Sequence, residues 1–211
     1  YDLLLEHVKI RLDKYFPESF DFSDSFAITF EWGIRGWVTG EMPGCNLEFF
    51  KDDIRRLIQT ITHELYHKLQ LKYFQQHLNM LEADDIEELI VKRDLGNPKD
   101  NKFFEALGYI FAEGTATLVG GGSSKVKESD NIKEGIKLLH SVYSAIYLDE
   151  NMEKAEELIK KGMISNGPFY SIGYFISKNL VENSGKNGIY TQLVAGIINF
   201  FKVFVHFHFY A

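Results

Sequence analysis

A single cysteine, Cys45, leaves this chain of 211 residues without an internal disulfide, so its fold must rest on a packed core and its redox compartment stays open. Proline is almost as sparse, at four, and no apolar run approaches the roughly 20 residues of a membrane-spanning helix. Positive charge is also short: 23 Lys and Arg against 30 Asp and Glu give a formal net charge of −7. A nucleic-acid or anionic-membrane partner would want a basic face, so neither is expected. Tyr1 is not a natural start, and Tyr1 to Ile10 lacks the apolar core and cleavage site of a signal peptide, which leaves a cytoplasmic or an exported origin open. What is present is an ordinary globular composition, 45% hydrophobic and 25% charged. It suffices for one sizeable core, so residues 1–211 are expected to form a single domain.

Periodicity divides the chain unevenly. An opening helix is expected from Asp2 to Phe16, stopped by Pro17. Strand-like segments follow at Phe26 to Trp32, Ile34 to Thr39 and Asn46 to Phe50, punctuated by Gly33, Gly36, Gly40, Pro43 and Gly44. Helical spacing then takes over: Asp52 to Leu78, Ala83 to Arg93, Asn101 to Val119, Ile132 to Leu148, Met152 to Lys160, Phe169 to Val181 and Ile189 to Phe201. The expected fold class is α+β, mostly helical, with a small N-terminal antiparallel sheet before the long second helix. Gly120-Gly121-Gly122-Ser123-Ser124 reads first as a plain surface loop and second as a mobile rim.

That long helix carries the one pattern whose spacing dictates a chemistry, His63-Glu64-Leu65-Tyr66-His67. Residues four apart stand one turn above each other, so both imidazoles can converge on one ion while Glu64 stands beside them. Two ligands and a free carboxylate base are the zinc-hydrolase arrangement. Ile61, Leu65 and Leu69 mark the helix as largely buried, where unpartnered imidazoles would cost several kcal/mol, on the order of a lost hydrogen bond each. A metal supplies the partner; a hydrogen-bonded structural pair is the alternative.

A catalytic zinc takes a third protein ligand and keeps one position open. Glu113 fits best, as an isolated charge in the nearly apolar stretch Phe103 to Val119, which follows Gly96-Asn97-Pro98 and a candidate cap at Asp100. Gly114 and Ala116 are expected to let this helix approach the His63/His67 helix closely. The competing reading of Glu113 is a buried carboxylate paired with Arg or Lys.

His63-Glu64-x-x-His67 followed by Glu113-Gly114-x-Ala116 resembles the gluzincin clan of zinc metallopeptidases, and especially its small, mostly uncharacterised zinc-dependent peptidases. The strong part of the likeness spans about residues 52 to 119. It implies a zincin-like domain with His63, His67 and Glu113 as ligands of Zn2+, Glu64 as general base, and a peptide or protein as substrate. The sequence departs from the clan at Thr117, where an Asp often supports a ligand imidazole; a hydroxyl can orient the ring but cannot raise its basicity as a carboxylate does.

Rival metal readings fail on the residues. A ferritin-like di-iron bundle needs two Glu-x-x-His motifs, and Glu64-x-x-His67 is the only one. The metzincin extension would need Gly and His where Gln70 and Tyr73 stand. His206 and His208 read as part of a C-terminal strand or frayed tail rather than a ligand pair, and His7 and His77 carry no pattern.

In the peptidases this chain resembles, an edge strand before the metal helix can bind a peptide by β-augmentation; Trp32 to Thr39 or Asn46 to Phe50 could supply it. The same sheet could equally just complete the core. An acyl-transfer site also needs a donor for the developing oxyanion. Tyr170, on the first turn of the helix opened by Gly167-Pro168, is the first candidate, Tyr174 the second and His140 the third. The expected function is a zinc-dependent peptide hydrolase; the alternatives are a catalytically inactive zinc-containing interaction module and a metal-free helical scaffold.

Overall fold

The expectation of a mostly helical chain is met in the computed structural model, which describes residues 2–15, 27–29, 36–39, 42–78, 86, 90–91, 94–122, 126, 129–164, 166–185, 188–189, 191, 196–197 and 199–202. The first helix, α1, spans Asp2–Leu12, shorter than the expected run to Phe16. The Tyr15 N–H turns back to the Leu12 carbonyl at 2.9 Å, which closes a tight turn and ends the helix before Pro17 is reached.

Three short strands follow: β1 (Ala27–Thr29), β2 (Gly36–Thr39) and β3 (Met42–Asn46). The sheet order is β1-β3-β2. β2 and β3 pair antiparallel, Gly36 opposite Cys45 and Thr39 opposite Met42, but β1 pairs parallel with β3, Ala27 opposite Gly44. The sheet is therefore mixed, not the antiparallel one expected. A two-residue separation lets β2 and β3 form a hairpin, whereas β1 takes the far edge of β3, and there it runs parallel.

The expected strand from Asn46 to Phe50 is also corrected. β3 ends at Asn46, whose side-chain oxygen accepts the Glu48 N–H at 3.0 Å and caps a single 3-10 turn over Leu47–Phe49. A short Asn side chain offers the backbone a local partner that competes with the sheet ladder.

The long helix α2 spans Ile54–Leu78 and starts where Asp53 Oδ1 accepts the Arg56 N–H at 2.9 Å. α3 (Pro98–Gly120) is capped by Asn97, not by the candidate Asp100, which instead accepts the Tyr147 hydroxyl at 2.7 Å. Pro98 occupies the start of α3, where its missing N–H costs nothing. Gly121 ends α3 in left-handed backbone at φ 98°, donating its N–H to the Leu118 carbonyl. After it come α4 (Ser129–Tyr147), α5 (Met152–Gly162) and α6 (Pro168–Ser184). Of the expected helix at 83–93 only residues 86, 90 and 91 are described, and of that at 189–201 only 189, 191, 196, 197 and 199–201. Gly196, at φ 83°, interrupts the second of them, because left-handed backbone cannot continue a helix.

α3 forms the centre. Every residue from Phe104 to Gly120 except Leu107 and Tyr109 is buried, and the helix packs most extensively against α6, then α2, with lesser contacts to α4, α5 and α1. Phe111 meets Phe74 of α2 and Phe200 at ring separations of 5.7 and 4.9 Å. The expectation that Gly114 draws α3 toward α2 is not met: a Cβ on Gly114 would stand 2.2 Å from the backbone of Gly173 in α6. The residue that admits α2 is Gly120, where a Cβ would lie 2.8 Å from the Gln59 carbonyl and 3.3 Å from His63 Cβ.

Candidate metal centre

His63 and His67 sit mid-way along α2, one turn apart, and Glu113 sits at the same level of α3. The His67 and His63 Nε2 atoms are 3.0 Å apart, Glu113 Oε2 lies 3.1 Å from His63 Nε2, and it lies 3.6 Å from His67 Nε2. The two rings meet edge to face, 84° between their planes. His67 and Glu113 are buried and His63 is partly exposed, its side chain keeping 18% of its accessible surface, so the cluster opens toward solvent on the His63 side.

Three ligand atoms from the three residues lie within 4.8 Å of one another, an arrangement that could hold a metal ion. A tetrahedral zinc with bonds of about 2.0–2.1 Å would space its ligand atoms by roughly 3.3 Å. The observed spacings, 3.0, 3.1 and 3.6 Å, bracket that value. Two imidazole nitrogens and one carboxylate oxygen are also a donor set that zinc accepts.

The electrostatics follow from burial and proximity. Burial opposes the charged form of Glu113, but the His67 and His63 imidazoles outweigh it and hold the carboxyl well below its ordinary range. Burial likewise opposes imidazolium at His67; the Glu113 carboxylate, with a further push from Glu64, wins and holds the ring up at about 9. The competing sequence reading, Glu113 paired with Arg or Lys, is thereby corrected: its partners are the two imidazoles. Glu64 is partly buried on α2, and its charge reaches both His67 and Cys45 of β3. Burial, and then Glu64, push the Cys45 thiol up to about 11.

Of the candidate oxyanion donors, Tyr170 reaches the site. It lies on the first turn of α6, and its ring stacks on His63 with planes 12° apart and centroids 6.4 Å apart. At Tyr174, one turn on, burial and then the charge of Glu182 raise the phenol. His140 is exposed on α4 and is not one of the converging groups. His206 and His208 lie outside the described residues, as does Trp32. The Gly120 to Ser124 segment is described only as far as Gly122, and its start is held by Arg11, whose guanidinium donates to the Gly120 carbonyl at 2.9 Å.

Sequence reasoning passed over Gln70 except to exclude the metzincin pattern. Gln70 is fully buried, and His67 Nδ1 lies 2.7 Å from its Oε1. The hydrogen-bond partner of the His67 Nδ1 thus lies on α2 itself. The signal was legible: an amide three positions after His67, on the helix stripe shared with buried Tyr66 and Phe74.

A mostly helical protein whose two central helices bring His, His and Glu together defines a class, that of helical proteins with an inter-helix cluster that could hold a metal ion. The particular family follows from comparison. The chain belongs to the family described as "Putative zinc dependent peptidase (DUF5700)", whose model matches residues 2–205. No curated protein matches the chain, and no solved structure does. No described helix is long and apolar enough to cross a membrane.

Proposed function

We propose that this protein is a zinc-dependent hydrolase of the gluzincin type acting on peptide bonds, with residues 1–211 forming one zincin-like domain. The observation that carries the reading is the convergence of His63, His67 and Glu113 from two buried helices, with Glu64 on the same helix as the histidines but outside the converging group. Zinc bound by these three residues would supply a Lewis acid that polarises a carbonyl and makes water more acidic.

The chain's own groups supply the rest. Glu64 accepts the proton of the attacking water and delivers it to the leaving amine. The Tyr170 hydroxyl donates to the developing oxyanion, a role supported by the stacking of its ring on His63. A peptide or protein substrate is read from the family and from β2, an edge of the three-stranded sheet that packs on α2 and could take an extended peptide by backbone pairing. The other candidate for that role, residues 46–50, is a capped turn and is withdrawn.

Glu64→Gln tests enzyme against interaction module. The amide is nearly isosteric and removes no ligand, so zinc content and fold should stay as they are while peptide hydrolysis falls by several orders of magnitude. Equal turnover by the variant would reject Glu64 as the base. A zinc-loaded wild type inert toward a broad peptide library would favour the module.

A further inference from the structure

We propose that Gln70 is the positioning residue of the metal centre, setting which nitrogen His67 offers and tying together the two helices that carry the ligands; this rests on the metal-site reading above. Gln70 Nε2 lies 3.2 Å from the Ala112 carbonyl and 2.7 Å from Thr115 Oγ1. A carbonyl oxygen can only accept, so the amide nitrogen must face Ala112 and the amide oxygen must face His67. The Thr115 hydroxyl donates to carbonyls of its own helix, Phe111 at 2.7 Å with Ala112 at 3.2 Å, so toward the Gln70 amide its Oγ1 accepts.

The chain of bonds therefore runs one way. His67 Nδ1–H donates to Gln70 Oε1, Gln70 Nε2–H donates to Ala112 and Thr115, and the Thr115 hydroxyl donates to Phe111. With Nδ1 committed as donor, His67 presents Nε2, the atom that faces His63 and Glu113. Gln70, His67 and Thr115 are all buried, so no water competes for these bonds.

The same amide does a second task. Ala112 and Thr115 flank Glu113 on α3, so Gln70 grips the backbone and a side chain on either side of the third ligand. Register between α2 and α3 is set within one turn of the site. A carboxamide, unlike a carboxylate, does this without adding a second negative charge next to Glu113.

The experiment uses the full chain and compares wild type with Gln70→Leu, Thr115→Val and Thr115→Ser. Zinc affinity is measured by competition with a chelating dye, and the His67 Nδ1–H proton is followed by NMR on zinc-loaded protein with labelled histidine. Gln70→Leu should weaken zinc binding by about 10- to 100-fold and abolish the slowly exchanging imidazole proton. Thr115→Val should weaken zinc in the same direction by a smaller factor, and Thr115→Ser should restore wild-type affinity. The serine and valine variants differ from each other at the far end of the network, so the comparison survives if Gln70→Leu does not fold. Either Gln70→Leu or Thr115→Val binding zinc within twofold of wild type, with the imidazole proton still protected, would overturn the assignment. A wild type that takes up no zinc would overturn the metal-site reading itself.

Discussion

α2 and α3 each bring ligand candidates to one point, but they do so by different physics. In α2 the pair His63 and His67 is set by helix geometry alone: four residues make one turn, and any helix here would align them. In α3 a single carboxylate, Glu113, has meaning only because the helix is buried almost all round and passes α2 at the right height. The first arrangement is local and robust. The second depends on close packing at Gly120 against α2, at Gly114 against Gly173 of α6, and on the Gln70 bridge. A local pattern can be read from a string of residues; a contact between helices needs a fold.

Breaking the tertiary half outright should give the largest effect. Glu113→Gln leaves both imidazoles in place but removes the carboxylate that counters them, and zinc affinity measured by competition should fall by more than the roughly 10- to 100-fold that loss of a supporting group causes. Zinc content equal to wild type would show that the α2 pair suffices without α3. Tyr170→Phe touches the site from α6, and turnover should drop about ten- to a thousandfold with metal content unchanged. Full activity in that variant would remove α6 from the chemistry.

Gly114→Ala sharpens the comparison without touching a ligand candidate. The added methyl meets the Gly173 backbone at 2.2 Å, so α3 and α6 must separate, and unfolding should become easier by about 1–3 kcal/mol in denaturant titration. The α2 motif is untouched, so an unaltered midpoint would mean that the α3–α6 contact is looser than its geometry implies.

The smallest effect is a pH dependence of the zinc-stripped protein. His67 titrates at about 9 when folded against 6.5 when free, so its contribution is complete below 6.5 and is lost as pH rises through about 9. Glu113 is held below its ordinary 4.5, so its contribution is present above that value and is lost as pH falls further. Thermal melting of stripped protein should therefore peak between 4.5 and 6.5 as far as this pair is concerned. Cys45, raised to about 11 from 9.0, adds an alkaline loss in stripped and zinc-loaded protein alike. The loss between 6.5 and 9 should vanish on zinc loading, and its persistence there would exclude His67 as the source.

Elements built on spacing were legible, and elements built on neighbours were not. The helices α2 to α6 follow from their apolar periodicity, and Pro98 and Pro168 mark two of their starts. The sheet was harder, because strands of three to five residues carry little pattern and Asn46 turns the chain into a 3-10 turn where a strand was expected. The parallel pairing of β1 with β3 has no local signature at all. Gly114 was rightly singled out as a close-approach residue, but a small side chain does not say which helix it admits.

By itself the sequence determined a long helix with two imidazoles and a carboxylate one turn deep, and it marked Glu113 as a charge needing a reason, because both statements follow from helix periodicity and the cost of burying charge. Only the tertiary structure decided that Glu113 meets His63 and His67, that Tyr170 rather than His140 stands beside them, and that Gln70 holds His67. Those outcomes depend on the rotation and height at which α3 and α6 pass α2, and no local rule sets that: it is settled by where glycines let backbones touch and where buried amides find partners.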